Sequence, residues 1–307
     1  MTTPAGLDAA TTGLDAFWAI QATEGRGRVH DGGRDLGVVT DHGLRVAARA
    51  GTDLATVPVG PLATTAALPD PSSGPPPIAV IQAGGRGSRL GALTLKVPKP
   101  LLGVGPTSIL GRLLQGLAAS GIMDVLISVN YMAEAIEERI GDGSAFGVRV
   151  GYLRETQPLG GAGPLALLPE RPAGPVLVLN ADQITNLNFA RMVDFHRAEG
   201  TAITVASFTH EIPVPYGVLE SEGGRLVGID EKPTLRLPCN AGFYVIDPAV
   251  LDLVPVGRAS TMPQLIDAAR ARGDAVAVFP LLERWIDIGT PEELEAALLW
   301  AATGEEV

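Results

Sequence analysis

The sequence offers little from which a disulfide or a thiol-based metal centre could be built. Cys239 is the single cysteine among 307 residues, so no intrachain disulfide can form. The N-terminus lacks a basic segment followed by an apolar core, and no apolar run has the length of a membrane span. We therefore expect a cytoplasmic protein that does not associate with a membrane.

Positive charge is also scarce. The chain has 23 lysines and arginines against 34 aspartates and glutamates, which gives a formal net charge of -11. This balance disfavours extended contact with nucleic acid or with an anionic membrane surface, so any phosphate must be bound locally. The three lysines are Lys96, Lys99 and Lys232. Because a compact ammonium and a guanidinium contact phosphate differently, these lysines are candidates for specific roles.

The composition is that of a globular protein with a small second unit. Apolar residues make up 46% of the chain and charged residues 19%, which argues against disorder. The segment 68–77 is rich in proline and serine and predicts a stiff linker. It divides the chain into residues 1–67 and 78–307.

The alternation of strands and helices after the linker predicts an α/β fold with a mostly parallel sheet covered on both faces. The expected strands are 78–82, 125–129, 148–153, 176–179, 202–208 and 241–246, and the expected helices are 108–120, 133–140 and 189–198. A hairpin around Gly223 and Gly224 predicts a subdomain or lid. Thr290, Pro291 and Glu293 predict a capped final helix.

A glycine-rich turn follows the first of these strands. The stretch Ala83-Gly-Gly-Arg-Gly-Ser-Arg-Leu90 would let backbone N–H groups approach an anion, with Arg89 and Lys99 as cationic donors. The spacing fits neither the dinucleotide-binding glycine pattern, since Leu90 takes the third glycine's place, nor the P-loop. On its own such a turn is more often structural, but Arg89 and Pro98-Lys-Pro100 favour a triphosphate site.

Asp182 follows an apolar strand and would lie at its carboxyl end, where open α/β sheets bind ligands. Its carboxylate suits Mg²⁺, and Asp287 could provide a second ligand. Either aspartate alone is more typical of a cap or a turn.

Together these motifs resemble the sugar-phosphate nucleotidyltransferase family, closest to mannose- or heptose-1-phosphate guanylyltransferase-like enzymes. The resemblance covers residues 78–300 and runs through motifs that begin at Ala83, Pro98, Glu155, Asn180, Tyr216, Glu231, Asn240 and Trp285. It implies a Rossmann-like sheet of the nucleotide-diphospho-sugar transferase type with a sugar-binding subdomain. Ala181 stands where the family usually has glycine.

The resemblance also implies roles for individual residues. Nucleotide binding falls to Ala83, Gly84, Gly85, Gly87, Ser88, Arg89, Glu155, Pro158, Gly160 and Asp182, and sugar binding to Gly217, Glu231, Lys232 and Asn240. The catalytic residues would be Arg89, Lys99, Asp182 and Lys232. Asp182 and Asp287 would hold Mg²⁺. The substrates would be a nucleoside triphosphate and a sugar 1-phosphate.

Glu155 bears on the choice of base. In the family this position faces the base edge, and a carboxylate only accepts hydrogen bonds. Guanine offers two adjacent donors, whereas uracil offers one donor between two acceptors. GTP is therefore the preferred nucleotide, with a hexose, heptose or octose 1-phosphate. Gly161 stands where the guanylyltransferase pattern has threonine, and UTP, dTTP or CTP remain alternatives.

Residues 7–62 predict a helix, two short strands around Asp31-Gly-Gly33 and a second helix. This small α+β segment resembles one cystathionine β-synthase (CBS) repeat. Such repeats normally pair, so either two chains pair in a homodimer or higher homo-oligomer, or the segment is a remnant without a ligand.

Two other classes of protein compete with the enzyme. A catalytically silent homologue could bind a sugar nucleotide and regulate a partner, although it would not need to keep Arg89, Lys99, Asp182, Lys232 and Asp287 together. An oxidoreductase with a dinucleotide-binding fold is weakened by the missing third glycine.

Overall fold

A computed structural model describes residues 5–65, 74–85 and 87–303 of the chain. Most of the predicted linker, residues 68–73, lies outside these ranges. We call residues 5–65 the N-terminal unit and the described residues from 78 onwards the main unit. The boundaries 1–67, 68–77 and 78–307 remain a prediction.

The N-terminal unit is a three-stranded sheet with two helices. Its elements are β1 (Ala5–Asp8), α1 (Gly13–Gln21), β2 (Arg26–Asp31), β3 (Arg34–Thr40) and α2 (Asp41–Arg49). β2 lies between β1, to which it is parallel, and β3, to which it is antiparallel. The helix, hairpin and second helix are as predicted, and β1 is an additional strand. The resemblance to a CBS repeat stays a prediction.

Local sequence explains these boundaries. Gly32 and Gly33 have φ angles of 53° and 88°, which a tight hairpin turn between β2 and β3 requires. The hydroxyl of Thr12 accepts a hydrogen bond from the Asp15 amide, and that of Thr40 accepts one from the Gly43 amide. Each threonine thereby satisfies an otherwise unpaired donor at the start of its helix.

The two units pack against each other through their cores. Phe17, Ile20 and Leu44 are among the buried residues at the centre of the N-terminal unit, and Leu282 of the main unit packs against this cluster. In the opposite direction, Val46 on α2 packs against the core of the main unit.

The main unit carries thirteen strands and five helices in its described residues. The strands are β4 (Ile78–Gln82), β5 (Gly103–Val104), β6 (Thr107–Ser108), β7 (Asp124–Val129), β8 (Arg149–Arg154), β9 (Val176–Asn180), β10 (Gln183–Thr185), β11 (Ile203–Pro213), β12 (Gly217–Glu222), β13 (Arg225–Glu231), β14 (Thr234–Ile246), β15 (Val276–Pro280) and β16 (Trp285–Asp287). The helices are α3 (Ile109–Ala119), α4 (Ala133–Ile140), α5 (Phe189–Glu199), α6 (Met262–Arg272) and α7 (Pro291–Ala302).

Seven of these strands form the central sheet, in the order β15-β11-β14-β9-β4-β7-β8. β9, β4, β7 and β8 are parallel, as β11 and β15 are to each other, whereas β14 is antiparallel to both neighbours. The sheet is therefore mostly parallel, as predicted. Its two faces are buried in separate clusters, around Ile81 and Leu179 on one side and around Val80 and Val178 on the other.

The register aligns the carboxyl ends of three central strands at one edge. Gln82 of β4 pairs with both Ser128 of β7 and Asn180 of β9. The chain segments that follow these strands therefore meet at one place, where ligands of open α/β sheets bind.

Two strands extend beyond the sheet. β11 and β14 stay paired as a ribbon that extends to Pro213 and Thr234, with a bulge between Val205 and Ser207, whereas β14 pairs with β9 only from Phe243 to Ile246. β12 and β13 then form the predicted hairpin, and every residue of β12 is exposed.

The predicted final helix, α7, is present. The Thr290 hydroxyl accepts from the Glu293 amide, and the Glu293 carboxylate accepts from the Thr290 amide. Within the described residues, no helix combines the length and the apolar character needed to cross a membrane.

A buried histidine makes the stability of this fold depend on pH. His196 is buried beside Thr204, and burial lowers its pKa from 6.5 to about 4. Between these values the unfolded chain binds more protons than the folded one, so stability is lost on acidification.

We expect the free energy of unfolding, measured with urea, to fall as the pH drops from 6.5 to 4. The fall should be smaller in His196→Gln and unchanged in the exposed control His210→Gln; identical pH slopes in all three chains would refute this role.

Candidate active site

A cleft of about 440 Å³ lies at the carboxyl ends of β4, β8 and β9, and we call it the main cleft. It is lined by Gln82, Ala83, Gly84, Gly85, Gly87, Arg89, Lys99, Pro100, Glu155, Pro158, Gly160, Gly161, Asn180, Ala181, Asp182 and Gly289. Every predicted nucleotide-binding residue is among them except Ser88, whose side chain lies outside the described part of the structure.

The glycine-rich turn is shaped by its neighbours. Gly87 has a φ of 61°, and a Cβ atom there would lie 2.8 Å from the Cβ of Lys99. The Thr94 hydroxyl donates to the Gly87 carbonyl at 3.1 Å, which holds the turn against the next segment. Only glycine fits this conformation and this close approach.

The two predicted cations enter the cleft from different segments. Lys99 is buried, and its Nζ lies 2.6 Å from Oδ2 of Asp182. Arg89 is exposed, and its Nη1 would be 2.9 Å from a Cβ atom placed at Gly289. The glycine before Thr290 therefore leaves room for the guanidinium.

Asp287 reaches the same place because β16 pairs with β10. Asp287 is opposite Gln183, and the Ile288 amide donates to the Asp182 carbonyl at 3.0 Å. Oδ1 of Asp287 is buried and has no hydrogen-bond partner among the described residues. Burial, and then the charge of Asp182, raises the pKa of the Asp287 carboxyl.

This pair of carboxylates fits a divalent cation. A bound cation would give the unpartnered Asp287 oxygen a partner. It would also reduce the repulsion between the two carboxylates, which contributes to the raised pKa of Asp287. Within the described residues, no group of three or more His, Cys, Asp or Glu side chains could hold a metal. A cation bound by Asp182 and Asp287 would therefore complete its shell with substrate oxygens and water, which is how Mg²⁺ is usually held.

Glu155 is fixed in the wall of the cleft. Its carboxylate accepts a hydrogen bond from the Ser128 hydroxyl and one from the Leu159 amide, the latter at 2.8 Å. A Cβ atom at Gly84 would lie 2.7 Å from its Oε1, so the carboxylate adjoins the glycine-rich turn. Each oxygen retains acceptor capacity for a ligand.

A side pocket of about 350 Å³ adjoins the main cleft and shares Asn180 with it. Its lining consists of Asn180, Gln183, Phe208, Cys239, Asn240, Gly242, Tyr244, Trp285 and Asp287. Asn240, predicted to bind sugar, is held there by the Tyr244 hydroxyl at 2.7 Å and the Gly242 amide at 2.9 Å.

Two polar side chains of the side pocket were missed from the sequence. Oε1 of Gln183 and Nε1 of Trp285 are buried and lack a partner among the described residues. The alternation of a strand, which places Trp285 and Asp287 on one face, could have revealed the tryptophan. Gln183 lies in the side pocket because β10 pairs with β16, and no local sequence pattern indicates this long-range pairing.

The remaining predicted sugar residues lie on the hairpin. Gly217 pairs with Glu231, and Lys232 follows with a φ of 52°. All three are exposed, and none lines the main cleft or the side pocket. Their roles stay predictions.

Known proteins resemble this chain over most of its length. The nucleotidyl transferase family model matches residues 78–302. The catalytic subunit beta of mannose-1-phosphate guanylyltransferase from Xenopus tropicalis is 35% identical over 223 residues, which are 70% of this chain and 62% of that protein. The mannose-1-phosphate guanyltransferase of Yarrowia lipolytica is 35% identical over 226 residues, with 70% and 61% covered. The match thus spans less than two thirds of the length of these relatives.

Solved structures agree on the fold. HddC from Yersinia pseudotuberculosis has a TM-score of 0.57 and 23% identity, covering 72% of this chain and 98% of that one. The same protein complexed with GMP-PN has a TM-score of 0.56 and 21% identity. The fold is that of an α/β nucleotide-diphospho-sugar transferase. The chain belongs to the nucleotidyl transferase family.

The metal site can be tested without knowing the substrate. In Asp182→Asn one of the two carboxylate ligands becomes a neutral amide, so we expect Mn²⁺ affinity, measured by titration calorimetry, to fall at least about tenfold. Thermal unfolding is measured on the same variant, because the buried Lys99 ammonium loses its carboxylate partner there. Asp252→Asn, at an exposed ion pair with Arg171, is the matched control. Unchanged Mn²⁺ affinity in Asp182→Asn would remove this residue from the metal site.

Proposed function

We propose that this protein is a sugar-1-phosphate nucleotidyltransferase, which converts a nucleoside triphosphate and a sugar 1-phosphate into a nucleoside diphosphate sugar and pyrophosphate. The observation that carries the proposal is the convergence of Asp182 and Asp287 beside Lys99 and the glycine-rich turn. Two adjacent carboxylates, Asp182 in the main cleft and Asp287 in the adjoining side pocket, together with a buried ammonium and exposed backbone, suit a polyphosphate bound with a divalent cation.

The reaction follows from these groups. An oxygen of the sugar phosphate attacks the α-phosphorus in line, a new phosphorus–oxygen bond forms, and the bond to the bridging oxygen of pyrophosphate breaks. The attacking oxygen is already ionised, so no general base is needed. Both reactants are anions, and Arg89 and Lys99 neutralise and orient them. Mg²⁺ held by Asp182 and Asp287 would supply further neutralisation of the phosphate charge.

Guanine is the base that suits Glu155 best. Ser128 and Leu159 fix its carboxylate at the cleft wall, where an acceptor could meet the N1–H and N2–H₂ donors of guanine. The relatives at 35% identity are named mannose-1-phosphate guanylyltransferases, which supports GTP and a hexose 1-phosphate such as mannose 1-phosphate. Heptose and octose phosphates are the next candidates.

The side pocket is the proposed place of the sugar. Gln183 Oε1 is an acceptor and Trp285 Nε1–H a donor, and both are buried and without a partner in the described residues. Unpaired buried polar atoms are costly, and sugar hydroxyls can pair with both kinds. The pocket also contains Asp287, so a sugar there would lie next to the proposed metal site.

The activity is tested by pyrophosphate release. We would mix the chain with Mg²⁺, mannose 1-phosphate and, in separate reactions, GTP, UTP, dTTP, CTP or ATP. The proposal predicts pyrophosphate with GTP and little with the others. Release with a pyrimidine nucleotide alone would refute guanine and keep the enzyme class. Nucleotide binding without release for hexose, heptose and octose phosphates would favour the silent homologue.

Glu155→Gln tests the choice of base. The amide presents one acceptor in place of two, so we expect kcat/KM for GTP to fall about 10- to 100-fold, with no comparable fall for UTP. The exposed Glu295→Gln on α7 serves as the control for a lost charge. An equal loss for both nucleotides would mean that Glu155 supports the cleft without reading the base.

A further inference from the structure

The N-terminal unit meets the main unit through a wholly buried arginine. Arg45 on α2 has no exposed surface and lies between Asp41 of its own helix and Glu283 of the main unit. Its Nε donates to Asp41 Oδ2 at 2.8 Å, and its Nη1 donates to Glu283 Oε2 at 3.0 Å. One guanidinium therefore bridges the two units by pairing with a carboxylate of each.

Every N–H of this guanidinium is used. Nη1 also donates to the Pro280 carbonyl at 2.7 Å, while Nη2 donates to Asp41 Oδ1 and to Glu283 Oε1. The ring centroid of Phe279 lies 4.1 Å from the Arg45 Cζ atom, and that of Phe17 lies 5.0 Å from it. The Arg45 charge holds the pKa of Asp41 below its ordinary value, although burial alone would raise that pKa.

A contribution to folding stability does not explain why this cluster of buried charges is present. The desolvation of three charges offsets most of their attraction, and apolar side chains of similar volume commonly stabilise a fold as well or better. What a saturated guanidinium provides is a unique placement of the groups around it, because its five donors have fixed directions. Here those groups are Asp41, Pro280 and Glu283.

The fixed segment leads directly to the proposed metal site. After Glu283, the Arg284 amide donates to Asn186 Oδ1 at 3.0 Å and its carbonyl accepts from the Thr185 hydroxyl at 2.8 Å. β16 begins at the next residue and pairs with β10, which places Asp287 opposite Gln183. Three residues, 284–286, thus separate the carboxylate bound by Arg45 from the carboxylate proposed to bind the metal.

We propose that Arg45 is a positioning residue for this site: by holding Glu283, the N-terminal unit sets the register and position of β16 and therefore of Asp287. This inference rests on the proposed function for the identity of the site. It gives the N-terminal unit a role in metal binding, although the unit contributes no residue to the cleft.

A second bridge between the units provides a matched control. Arg49, also on α2, binds Glu199 at the end of α5 at 2.7 Å, with side chains 32% and 18% exposed. This pair joins the same two units but holds no residue between Glu283 and β16. The Arg49→Met/Glu199→Gln variant loosens the docking of the units without touching that segment.

The test measures Mn²⁺ affinity by calorimetry in full-length chains, with thermal unfolding as a check on folding. Arg45→Met alone would leave two buried carboxylates uncompensated, so the variant of choice is the neutral triple Asp41→Asn/Arg45→Met/Glu283→Gln. Glu283→Gln, which keeps one charge of each sign in the cluster, is the milder companion. We expect the dissociation constant for Mn²⁺ to rise about 10- to 100-fold in the triple variant and less in Glu283→Gln. The Arg49→Met/Glu199→Gln control should stay within about twofold of the wild type, since this pair holds no residue between Glu283 and β16.

The outcomes separate the two proposals. If the triple variant folds and binds Mn²⁺ as tightly as the wild type, the role of Arg45 is overturned and the proposed metal site stays intact. If the triple variant does not fold, the same conclusion follows from wild-type affinity in Glu283→Gln. An equal loss in the Arg49 control would also overturn it, because docking in general would then be responsible. Absence of Mn²⁺ binding by the wild-type chain, both alone and with a nucleoside triphosphate present, would contradict the metal site itself, and the positioning role with it.

Discussion

The pairing of two three-residue strands, β10 and β16, is the contact on which the rest of the site depends. It places Asp287 opposite Gln183 and next to Asp182, although the two aspartates are far apart in the chain. It also brings Gly289 to Arg89 and Trp285 to the side pocket. So short a ladder has few hydrogen bonds of its own, which makes it depend on what holds its ends.

Both ends of β16 are in fact held. On the carboxyl side the Glu293 carboxylate of the capping box also accepts from the Gly289 amide at 2.7 Å, so the start of α7 is tied to the turn after Asp287. On the amino side Arg45 binds Glu283. In a chain of net charge -11, the cleft carries two cations, Arg89 and Lys99, which are balanced by Glu155 and Asp182, so a bound divalent cation would supply the positive charge that a polyanion needs.

The sequence predicted the parts of the fold that local patterns determine. The strand before the glycine-rich turn, the helix α4 and the capping box of α7 are observed where the pattern indicated, because strand apolarity, helical periodicity and caps are encoded within a few residues. β10 and β16 were not predicted as strands, since three-residue strands lack a period and exist through a partner about a hundred residues away. Arg45 was missed for the same reason: nothing near it in the sequence indicates that Glu283 lies against it.

The central claim is that Asp182 and Asp287 hold one divalent cation between them. The most direct measurement is anomalous diffraction from a crystal of the chain grown with Mn²⁺ and a GTP analogue that cannot be cleaved at the α-phosphorus. The account predicts a single anomalous peak bonded to oxygens of both aspartates and of the nucleotide phosphates. A peak bonded to only one of the two carboxylates, or located away from the main cleft, would contradict it.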